Sequence, residues 1–439
     1  MRETMDTLSY KKTLPVLGRY DVLVAGGGPA GVCAAVAAAR QGAKVALIER
    51  YGILGGMLTS GHVGPILGSV SKGTMRDELT GYLGVPGNDM LGVTGVAHDP
   101  ERAKRVLSEF VDHENIDVYL QTVAVDAILE GAAVKGLALS GKEGPFALCG
   151  SVTVDATGDG DIAYFAGAPT EKGREADGLM QPVTLEFTIE GVDEARGIAC
   201  IGDVDDVQLN GERFLDFCRR CGDEGLLPRN IVAVRLHRTN APGERRVNTT
   251  QVNGVDATKA ADLYPAELEL RRQIDLLVAF FREKLPGYEN CRAVSSATTL
   301  GVRETRRVLG EYVITAEEMA AGARFPDAVV HKAEFIVDIH NPSGPGQAEE
   351  RIQYVTPYDL PYRCFVPRKA ENLLVAGRAI SGTHRAHASY RVMSICMAMG
   401  QAAGIAAALC ARMGITPRDL APEAVRRALT DAGTDLESP

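Results

Sequence analysis

The 439-residue sequence contains no tryptophan, and aromatic residues make up only 5% of it. Basic residues are also fewer than acidic ones. The chain has 47 lysines and arginines and 57 aspartates and glutamates, which gives a formal charge of −10. Nucleic-acid-binding surfaces are basic and carry interspersed aromatic side chains, so we expect no nucleic-acid partner. The remaining composition, with 45% hydrophobic and 24% charged residues, is that of a globular chain with a buried core.

Long apolar runs are absent as well. The stretch that comes closest to a membrane span, 395–413, is interrupted by Gln401 and Arg412, so we expect a buried helix there. The N-terminus begins with charged residues and lacks the apolar core and cleavage site of a secretory signal; residues 1–19 are expected to form a short leader. Nine cysteines, an odd number spread over the chain, favour free thiols over a disulfide framework, and we therefore expect a cytoplasmic protein.

Glycine, in contrast, is abundant at 48 residues, and 12 of these fall between positions 21 and 73. Three of them, Gly26, Gly28 and Gly31, match the pattern G-x-G-x-x-G. In a dinucleotide-binding fold such glycines permit a tight turn, let the backbone approach a pyrophosphate and bring the following helix against the preceding strand. The start of that helix, at Pro29 and Ala30, would then present unpaired N–H groups to the phosphates.

The surroundings of this pattern are those of a dinucleotide site. A strand is predicted over 20–24, a helix over 32–41 and a second strand over 44–48. Glu49 follows the second strand, 18 residues beyond Gly31, where an acid accepts hydrogen bonds from a ribose diol. The pattern by itself leaves NAD and FAD open.

Three further features favour FAD. The site lies near the N-terminus, and the second strand ends in Glu-Arg and is followed by Gly-Gly-Met at 55–57. A second strand and turn follow at 152–161, and a third, at 372–378, precedes a final helix predicted over 390–412. No second convincing G-x-G-x-x-G occurs, which argues against a resident NAD(P)H site.

With these motifs the sequence resembles the FAD-dependent oxidoreductases of the glutathione reductase superfamily, in the branch that includes the fumarate reductase flavoproteins, and most of all a bacterial group with few assigned substrates. The resemblance implies an α/β fold, with a Rossmann-like FAD-binding domain of the glutathione reductase type and an inserted α+β substrate domain. It implies an FAD-binding domain over 1–170 and 366–439 and a substrate domain over 171–365. The matching segments are 47–61, 154–168, 301–315, 361–367 and 372–404.

The resemblance also implies which residues hold FAD. Glu49 would bind the adenosine ribose, and the backbone around Val123 would meet the adenine. The start of the last helix, from Ser389 to Val392, would direct its N-terminal dipole at the flavin. Arg378 stands where many relatives have aspartate, which leaves a phosphate or a ribityl contact open for it. The full set predicted for the cofactor is Gly26, Gly28, Pro29, Ala30, Gly31, Glu49, Arg50, Gly55, Gly56, Met57, Val123, Thr157, Gly158, Asp161, Gly377, Arg378, Ser389 and Val392.

The positions of the cysteines and histidines limit which reactions the protein could catalyse. Disulfide reductases of this superfamily carry a redox cysteine pair after the Gly-Gly segment, and the absence of cysteine over 57–68 excludes that route. The C-x-x-C pair Cys218 and Cys221 lies in a predicted helix and supplies too few ligands for a closed zinc site. His384 and His387 lie in a loop that the resemblance places at the flavin, where a histidine moves a proton near neutral pH; a purely structural role is the alternative.

Arginines are the candidate substrate anchors. Arg303 and Arg307 are four residues apart and would share one face of a helix. Together with Arg363 they would recognise a carboxylate or phosphate, and internal pairing with Glu304 is the alternative. The pair Arg245–Arg246 stands in a polar loop, which favours a solvated face.

We therefore predict an FAD-dependent oxidoreductase, a dehydrogenase or oxidase, that transfers a hydride from a small polar or anionic substrate to flavin N5. His384 or His387 would act as acid or base, with Arg303 and Arg363 as anchors.

His62 is a weaker acid–base candidate and lies beyond the place where succinate dehydrogenase-type flavoproteins link flavin covalently, so we expect non-covalent FAD. A fumarate reductase-like reductase of an activated C=C bond is one alternative, and an FAD-binding protein of RNA modification, disfavoured by the acidic charge, is another. The electron acceptor and homo-oligomerisation are left open.

Overall fold

The computed structural model describes residues 8–84, 95–200, 206–346 and 353–437, and the secondary structure below refers to these ranges. The strands are β1 (Val16–Ala25), β2 (Val45–Ile48), β3 (Pro65–Leu67), β4 (Gly95–Ala97), β5 (Asp117–Tyr119), β6 (Val123–Glu130), β7 (Ala133–Gly141), β8 (Gly144–Asp155), β9 (Thr170–Lys172), β10 (Phe187–Glu190), β11 (Gln208–Leu209), β12 (Glu212–Arg213), β13 (Leu236–Arg238), β14 (Arg245–Val247), β15 (Arg292–Ser296), β16 (Arg306–Val308), β17 (Ala328–Ala333), β18 (Tyr358–Pro361) and β19 (Leu373–Val375). The α-helices are α1 (Pro29–Arg40), α2 (Met75–Leu83), α3 (Pro100–Asp112), α4 (Asp161–Phe165), α5 (Phe214–Asp223), α6 (Ala260–Lys284), α7 (Ala316–Ala320), α8 (His384–Tyr390), α9 (Met393–Met413) and α10 (Pro422–Asp431), with 3₁₀ helices at Gly56–Leu58 and Tyr362–Cys364.

The main sheet has a Rossmann-like parallel core. β1 pairs in parallel with β2 and β8, β5 lies beyond β2, and β19 pairs in parallel with the carboxyl end of β8. α1 forms the crossover between β1 and β2, as parallel neighbours require. β7 pairs antiparallel with the first half of β8, and β6 pairs with β7. The strand contributed by β19 shows that the C-terminal part of the chain completes a sheet that the N-terminal part begins.

α1 and α9 pack unusually close to each other because small residues face one another. A Cβ on Gly400 would lie 2.0 Å from the carbonyl oxygen of Ala30, and one on Gly404 would lie 2.1 Å from that of Ala34. α9 is long and apolar enough by length and composition to cross a membrane, and its apolar window is fully buried within the fold. The buried helix predicted for 395–413 is therefore confirmed.

The hydrophobic residues of the described chain form two large clusters. The larger one surrounds the main sheet with α1 and α9, and it also includes side chains from Val308 to Phe365. The smaller one lies between α5, α6 and the antiparallel sheet β13-β14-β10-β15. The division into domains at 170/171 and 365/366 stays a prediction, and the side chains after Val308 pack with the main sheet.

Three predicted elements differ from the structure. β1 begins at Val16, so the leader expected over 1–19 overlaps the first strand, and residues 1–7 lie outside the described ranges. The sequence also favours a strand over 334–338, and this expectation is wrong, because the segment makes only isolated bridges although Phe335 and Val337 are buried. The helix predicted over 390–412 is split into α8 and α9, because Val392 is extended with ψ of 153°.

Candidate functional site

The turn between β1 and α1 has the shape that close approach of a pyrophosphate requires. Gly26 has a φ of +99°, and a Cβ there would lie 2.4 Å from the carbonyl oxygen of Ala156. A Cβ on Gly31 would lie 1.7 Å from the carbonyl oxygen of Gly26, so only glycine lets α1 start against the turn. A Cβ on Gly28 would meet no heavy atom within 4 Å, and this residue caps the N-terminus of α1. The space beside Gly28 is therefore free for a phosphate at the helix N-terminus.

Glu49 connects the end of β2 to this turn. Its carboxylate is buried and accepts hydrogen bonds from the backbone N–H of Gly27 at 2.7 Å and of Tyr51 at 2.8 Å. Burial raises the pKa of this carboxyl, and the two N–H groups oppose that shift. A carboxylate has about four acceptor positions, so acceptor capacity is left for a ribose diol.

A cleft with about 1120 Å³ of empty space, part of it open to solvent, runs past the carboxyl ends of the parallel strands. Its walls combine the glycine turn, the end of β2, the start of β6 and the turns after β8 and β19. A ligand crevice at this edge of an open parallel sheet is typical of nucleotide-binding folds. The residues predicted for the cofactor that line it are Gly26, Gly28, Pro29, Ala30, Glu49, Arg50, Gly56, Met57, Val123, Thr157, Gly158, Asp161, Gly377 and Arg378.

The other four predicted cofactor residues do not line the cleft. Gly31 packs inside the turn, and the N–H of Gly55 donates to the backbone of the same turn at 2.7 Å. Ser389 lies in α8, where its hydroxyl donates to the carbonyl oxygen of Phe335. Val392 is buried as the N-cap of α9. The last helix therefore begins after the predicted 389–392, and Met393 and Cys396 line the cleft instead.

An ion pair that the sequence did not reveal joins the turns after β8 and β19. Arg378 Nη2 donates to Asp159 Oδ1 at 2.7 Å, and the Thr305 hydroxyl donates to the same oxygen at 2.8 Å. Burial would raise the pKa of Asp159, but the cations of Arg378 and Arg50 outweigh it and hold that pKa below its ordinary value. Within the described chain, Arg378 lines the cleft and its buried Nε has no hydrogen-bond partner.

Buried carboxyl groups hold the turn after β8 in place. Asp155 accepts hydrogen bonds from the hydroxyl of Thr157 at 2.7 Å and from the backbone N–H of Ala163 at 2.9 Å. Burial raises the pKa of Asp155 to about 6. Asp161 accepts from Arg306 Nη1 at 2.8 Å, and its pKa is raised by burial and by the neighbouring charge of Asp159. These contacts fix the backbone that lines the cleft.

The two histidines predicted as acid or base are not among the residues that line the cleft. His384 Nδ1 lies 2.8 Å from Glu304 Oε1, which also accepts from Arg307 Nη1, so the internal pairing of Glu304 is confirmed. His387 is buried and stands edge-on to Tyr390, with ring centroids 5.7 Å apart. Burial, assisted by the charge of Arg307, lowers the pKa of His387 well below its ordinary value. A catalytic role for either histidine stays a prediction.

The predicted arginine anchors are also dispersed. The helical face expected for Arg303 and Arg307 is wrong, because the segment runs extended into β16 and the two guanidinium groups donate to different backbone carbonyls. Arg303 Nη1 donates to the carbonyl of Pro182 at 2.9 Å. Arg363 is 45% exposed and pairs with Asp327 at 2.9 Å, outside the cleft.

The interpretation of Arg245–Arg246 as a solvated face is wrong. Both residues lie in β14, an interior strand of the second sheet, and both are buried. Arg245 Nη1 pairs with Glu194 at 2.6 Å. Arg246 projects from the opposite face of the strand, because successive side chains alternate.

The remaining histidine and cysteine candidates are His62, Cys218 and Cys221. His62 is buried, and burial together with the charge of Arg246 lowers its pKa to about 4, so its ring is neutral at pH 7. Cys218 and Cys221 are free thiols in α5, which confirms the plain-helix interpretation. In the part of the chain that the structure describes, no group of three or more histidine, cysteine, aspartate or glutamate side chains could hold a metal ion.

A parallel sheet with a glycine turn, a buried acid at the end of β2 and a cleft along its carboxyl edge is typical of dinucleotide-dependent enzymes. The family model described as FAD dependent oxidoreductase matches residues 21–429 of this chain. The chain therefore belongs to the FAD-dependent oxidoreductase family, and FAD is its cofactor.

Individual relatives are more distant. A dihydrolipoyl dehydrogenase of Trypanosoma brucei brucei is 47% identical over 47 residues, which is 11% of this chain and 10% of that protein. Among solved structures, a geranylgeranyl bacteriochlorophyll reductase-like protein of Thermoplasma acidophilum is 14% identical with a TM-score of 0.47, covering 94% of this chain and 83% of that one. The p-nitrophenol 4-monooxygenase of Pseudomonas putida DLL-E4 is 12% identical with a TM-score of 0.49, covering 94% and 84%. Likenesses at this level carry no argument about chemistry.

The residues present fit FAD. The open space beside Gly28 is bounded by Gly56, whose Cβ, if present, would lie 3.1 Å from the Cα of Gly28. A side chain at Gly28 would project into this open space, and one at Gly56 would press against the backbone of Gly28. The Glu49 carboxylate has acceptor capacity to spare, and the Nε of Arg378 is a hydrogen-bond donor without a partner in the described chain.

Proposed function

We propose that this FAD-dependent oxidoreductase transfers a hydride between a small polar substrate and a non-covalently bound flavin. The observation that carries the proposal is the extent of the cleft, which continues from the glycine turn to the start of α9. Its lining also includes Leu300, Val302 and Arg391. Leu300 belongs to the smaller hydrophobic cluster, so the cleft reaches the place where the two clusters meet. Sites between two packed units of a chain are common places for small-molecule substrates.

Each wall of the cleft has a role in holding FAD. The N-terminus of α1 at Gly28 would receive the pyrophosphate, and Glu49 would accept hydrogen bonds from the adenosine ribose. Arg378 would donate to a phosphate or to the ribityl chain, with Asp159 fixing its orientation at 2.7 Å. Met57 lines the same path. When bound, FAD supplies the two-electron redox chemistry, with flavin N5 as the hydride site.

The chain itself supplies orientation, exclusion of water and charge at the far end. Leu300 and Val302 give the cleft an apolar stretch of wall, which would limit water there. α9 begins at Met393, so its first backbone N–H groups and its positive dipole end lie at this wall and favour negative charge there. Arg391, which precedes the helix, adds a full positive charge.

We also propose the finer assignments that the resemblance implies. The glutathione reductase type of fold is supported by the parallel order β5-β2-β1-β8-β19 with an antiparallel extension of β7 and β6. The fumarate reductase-like branch and the division at 170/171 and 365/366 rest on the resemblance alone. A cytoplasmic location is supported by nine free cysteines.

Anaerobic mixing of the oxidised holoprotein with a panel of small alcohols, amines and saturated acids tests the hydride transfer. We expect at least one compound to bleach the flavin band, and deuterium at its reacting C–H bond to slow the bleaching. Failure of the whole panel, together with reoxidation of the dithionite-reduced protein by an enoate, would replace the proposal with reduction of a C=C bond.

Acid precipitation tests the non-covalent attachment. We expect intact FAD in the supernatant, and flavin that stays on the precipitated chain would contradict it.

A further inference from the structure

The antiparallel sheet β13-β14-β10-β15 has two buried faces of opposite character. One face packs Leu236, Val247 and Phe187 into the smaller hydrophobic cluster. On the other face, His237 is paired with Arg246, and Arg246 with Thr188, in one row across three strands. A solvated sheet face would be polar as well, but Arg246 is only 6% exposed and Thr188 only 4%.

A second polar row lies beside the first, because side chains two residues apart share a face of a strand. Glu186 precedes β10, Asn248 follows β14 and Arg235 precedes β13. The backbone N–H of Asn248 donates to the carbonyl of Arg235 at 3.3 Å, which continues the pairing of these strands. Glu186 is only 3% exposed. We call these two rows, Glu186, Thr188, Arg235, His237, Arg246 and Asn248, the buried polar face.

The glycine-rich segment after α1 and β2 covers part of this face. A Cβ on Gly64 would lie 2.9 Å from Cδ and 3.0 Å from Nη1 of Arg246, so the backbone lies directly against the arginine side chain. The backbone N–H of Gly64 also interacts with the Glu186 carboxyl. The face therefore lies between the second sheet and the same glycine-rich segment that leads to the cofactor cleft.

Several polar atoms on this face lack partners. Within the described chain, Arg246 has no hydrogen bond or ion pair, and its Nε is buried. Oε2 of Glu186, Oδ1 of Asn248 and both ring nitrogens of His237 are likewise buried without a hydrogen-bond partner. The carboxyl groups of Glu186, Glu244 and Asp99 act on Arg246 electrostatically, but none of them forms an ion pair with it in the described chain. A buried guanidinium without a paired anion is unfavourable, since burial of an ion is offset only by good pairing. The arrangement fits an anionic ligand that completes it.

The buried polar face is connected to the far end of the cofactor cleft by two more arginines. Arg391 lines the cleft, donates to Asp338 Oδ2 at 3.1 Å and has a buried Nε without a partner in the described chain. Arg303 lies within electrostatic reach of both Arg391 and Glu186, and burial lowers its pKa to about 9, which leaves it charged at pH 7. Burial raises the pKa of Glu186 to about 8, so this carboxyl is largely neutral at pH 7. Arg246, Arg303 and Arg235 thus all act on one carboxyl group that is itself largely neutral.

We propose that the buried polar face binds an oxyanion of the substrate, a carboxylate or a phosphate, with Arg246 as its anchor and Arg303 and Arg391 as flanking cations. The inference rests on the proposed function, because it places the anionic end of the substrate beside the flavin end of the cleft. Planar guanidinium groups match both oxyanions bidentately. The Glu186 carboxyl and the neutral ring of His237, whose pKa burial lowers to about 4, provide further hydrogen-bonding groups for the same ligand.

Equilibrium binding to the oxidised holoprotein tests this inference without turnover. The probes are acetate, malonate, succinate and inorganic phosphate, with acetamide as the neutral counterpart of acetate. Binding is followed by the change in flavin absorbance and by the shift in thermal unfolding temperature. We expect at least one oxyanion, and not acetamide, to bind. Binding of carboxylates alone or of phosphate alone identifies which oxyanion the substrate carries.

Substitutions test whether Arg246 is responsible for this binding. We expect Arg246→Met to weaken the oxyanion about 10- to 100-fold, the loss that one charge-assisted hydrogen-bonding partner implies. Gly64→Ala keeps the arginine but displaces its guanidinium, and should weaken binding in the same direction even if Arg246→Met does not fold. Arg238→Met, at an exposed position of the same sheet, is the matched control and should bind as the wild type does.

Three results would overturn the inference. These are no oxyanion binding to FAD-loaded protein, equal binding of acetamide, or unchanged affinity in both Arg246→Met and Gly64→Ala. A protein that takes up no FAD would instead refute the proposed function, and calorimetry of the same probes with the apoprotein would then still test the anion site.

Discussion

Arg378 donates to Asp159 at 2.7 Å, and this pair joins two turns that are 219 residues apart in sequence. One turn follows β8 in the first part of the chain and the other follows β19 near its end. Both turns line the cofactor cleft, so the ion pair connects two parts of the cleft wall that come from distant parts of the sequence. Its energetics are open to direct measurement.

Asp159→Asn should lower the free energy of unfolding of the apoprotein by about 3–5 kcal/mol, because Arg378, whose side chain is only 16% exposed, then lacks its counter-charge. The double variant Asp159→Asn/Arg378→Met should lose less than the sum of the two single variants. Chemical denaturation of all forms measures this. The exposed pair of Arg105 and Glu109 in α3 is the control, and Glu109→Gln should lose about 0–1 kcal/mol. Equal losses in Asp159→Asn and Glu109→Gln would contradict the account.

Gly28→Ala should weaken FAD binding without unfolding the protein, because the added methyl group enters open space where the pyrophosphate is expected. Titration of apoprotein with FAD, followed by fluorescence quenching, gives the dissociation constant. Gly222→Ala is the matched control, since its Cβ also meets no atom within 4 Å but lies in α5, away from the cleft. If both variants bind FAD as the wild type does, the phosphate does not lie beside Gly28.

Glu186 should make stability fall as the pH rises. Burial raises its folded-state pKa to about 8 against an ordinary value of 4.5, although Arg246, Arg303 and Arg235 oppose the shift. Between these values the folded state binds the extra proton, so its stability is greatest below about 4.5 and is lost as pH rises through about 8. Denaturation of wild type and Glu186→Gln from pH 5 to 9 isolates this contribution. The free energy of unfolding of the wild type, relative to that of Glu186→Gln, should fall as the pH rises. Parallel curves for the two proteins would show that Glu186 titrates normally.

His387→Ala should affect stability more than chemistry, because the ring is buried against Tyr390 and does not line the cleft. Removing a buried aromatic side chain leaves a cavity and costs several kcal/mol, of the order of 3. The unfolding temperature and the rate of flavin reduction by a substrate are measured on the same preparation. A 100-fold slower reduction with unchanged unfolding temperature would restore the acid–base role predicted from the sequence.

The sequence predicted the part of the site that depends on local backbone geometry. Gly26, Gly28 and Glu49 could be assigned because a turn, a helix N-terminus and a strand end follow one another within a short stretch. The start of α9 was misplaced because Val392 adopts an extended conformation inside a run that reads as continuous helix. At this break Arg391 donates a hydrogen bond to Asp338, a contact between residues that are distant in sequence.

The arginines were harder to interpret for a different reason. Arg246 stands in a polar stretch, and alternation along a strand shows that two faces differ but not what covers each of them. Only the fold brings Gly64 against that side chain. Arg307 and Glu304 were recognised as a possible pair because they are close in sequence, whereas the partners Asp159 and Arg378 are not.

The central claim is that the cofactor cleft and the buried polar face act on one substrate. Anaerobic stopped-flow reduction of the flavin by an oxyanion-bearing substrate, in wild type and in Arg246→Met with FAD retained, tests it most directly, with dithionite reduction as the control for an intact flavin. We predict that dithionite bleaches both proteins alike and that the substrate reduces the flavin of Arg246→Met at least 10-fold more slowly at subsaturating concentration. Equal rates with the substrate would contradict the account.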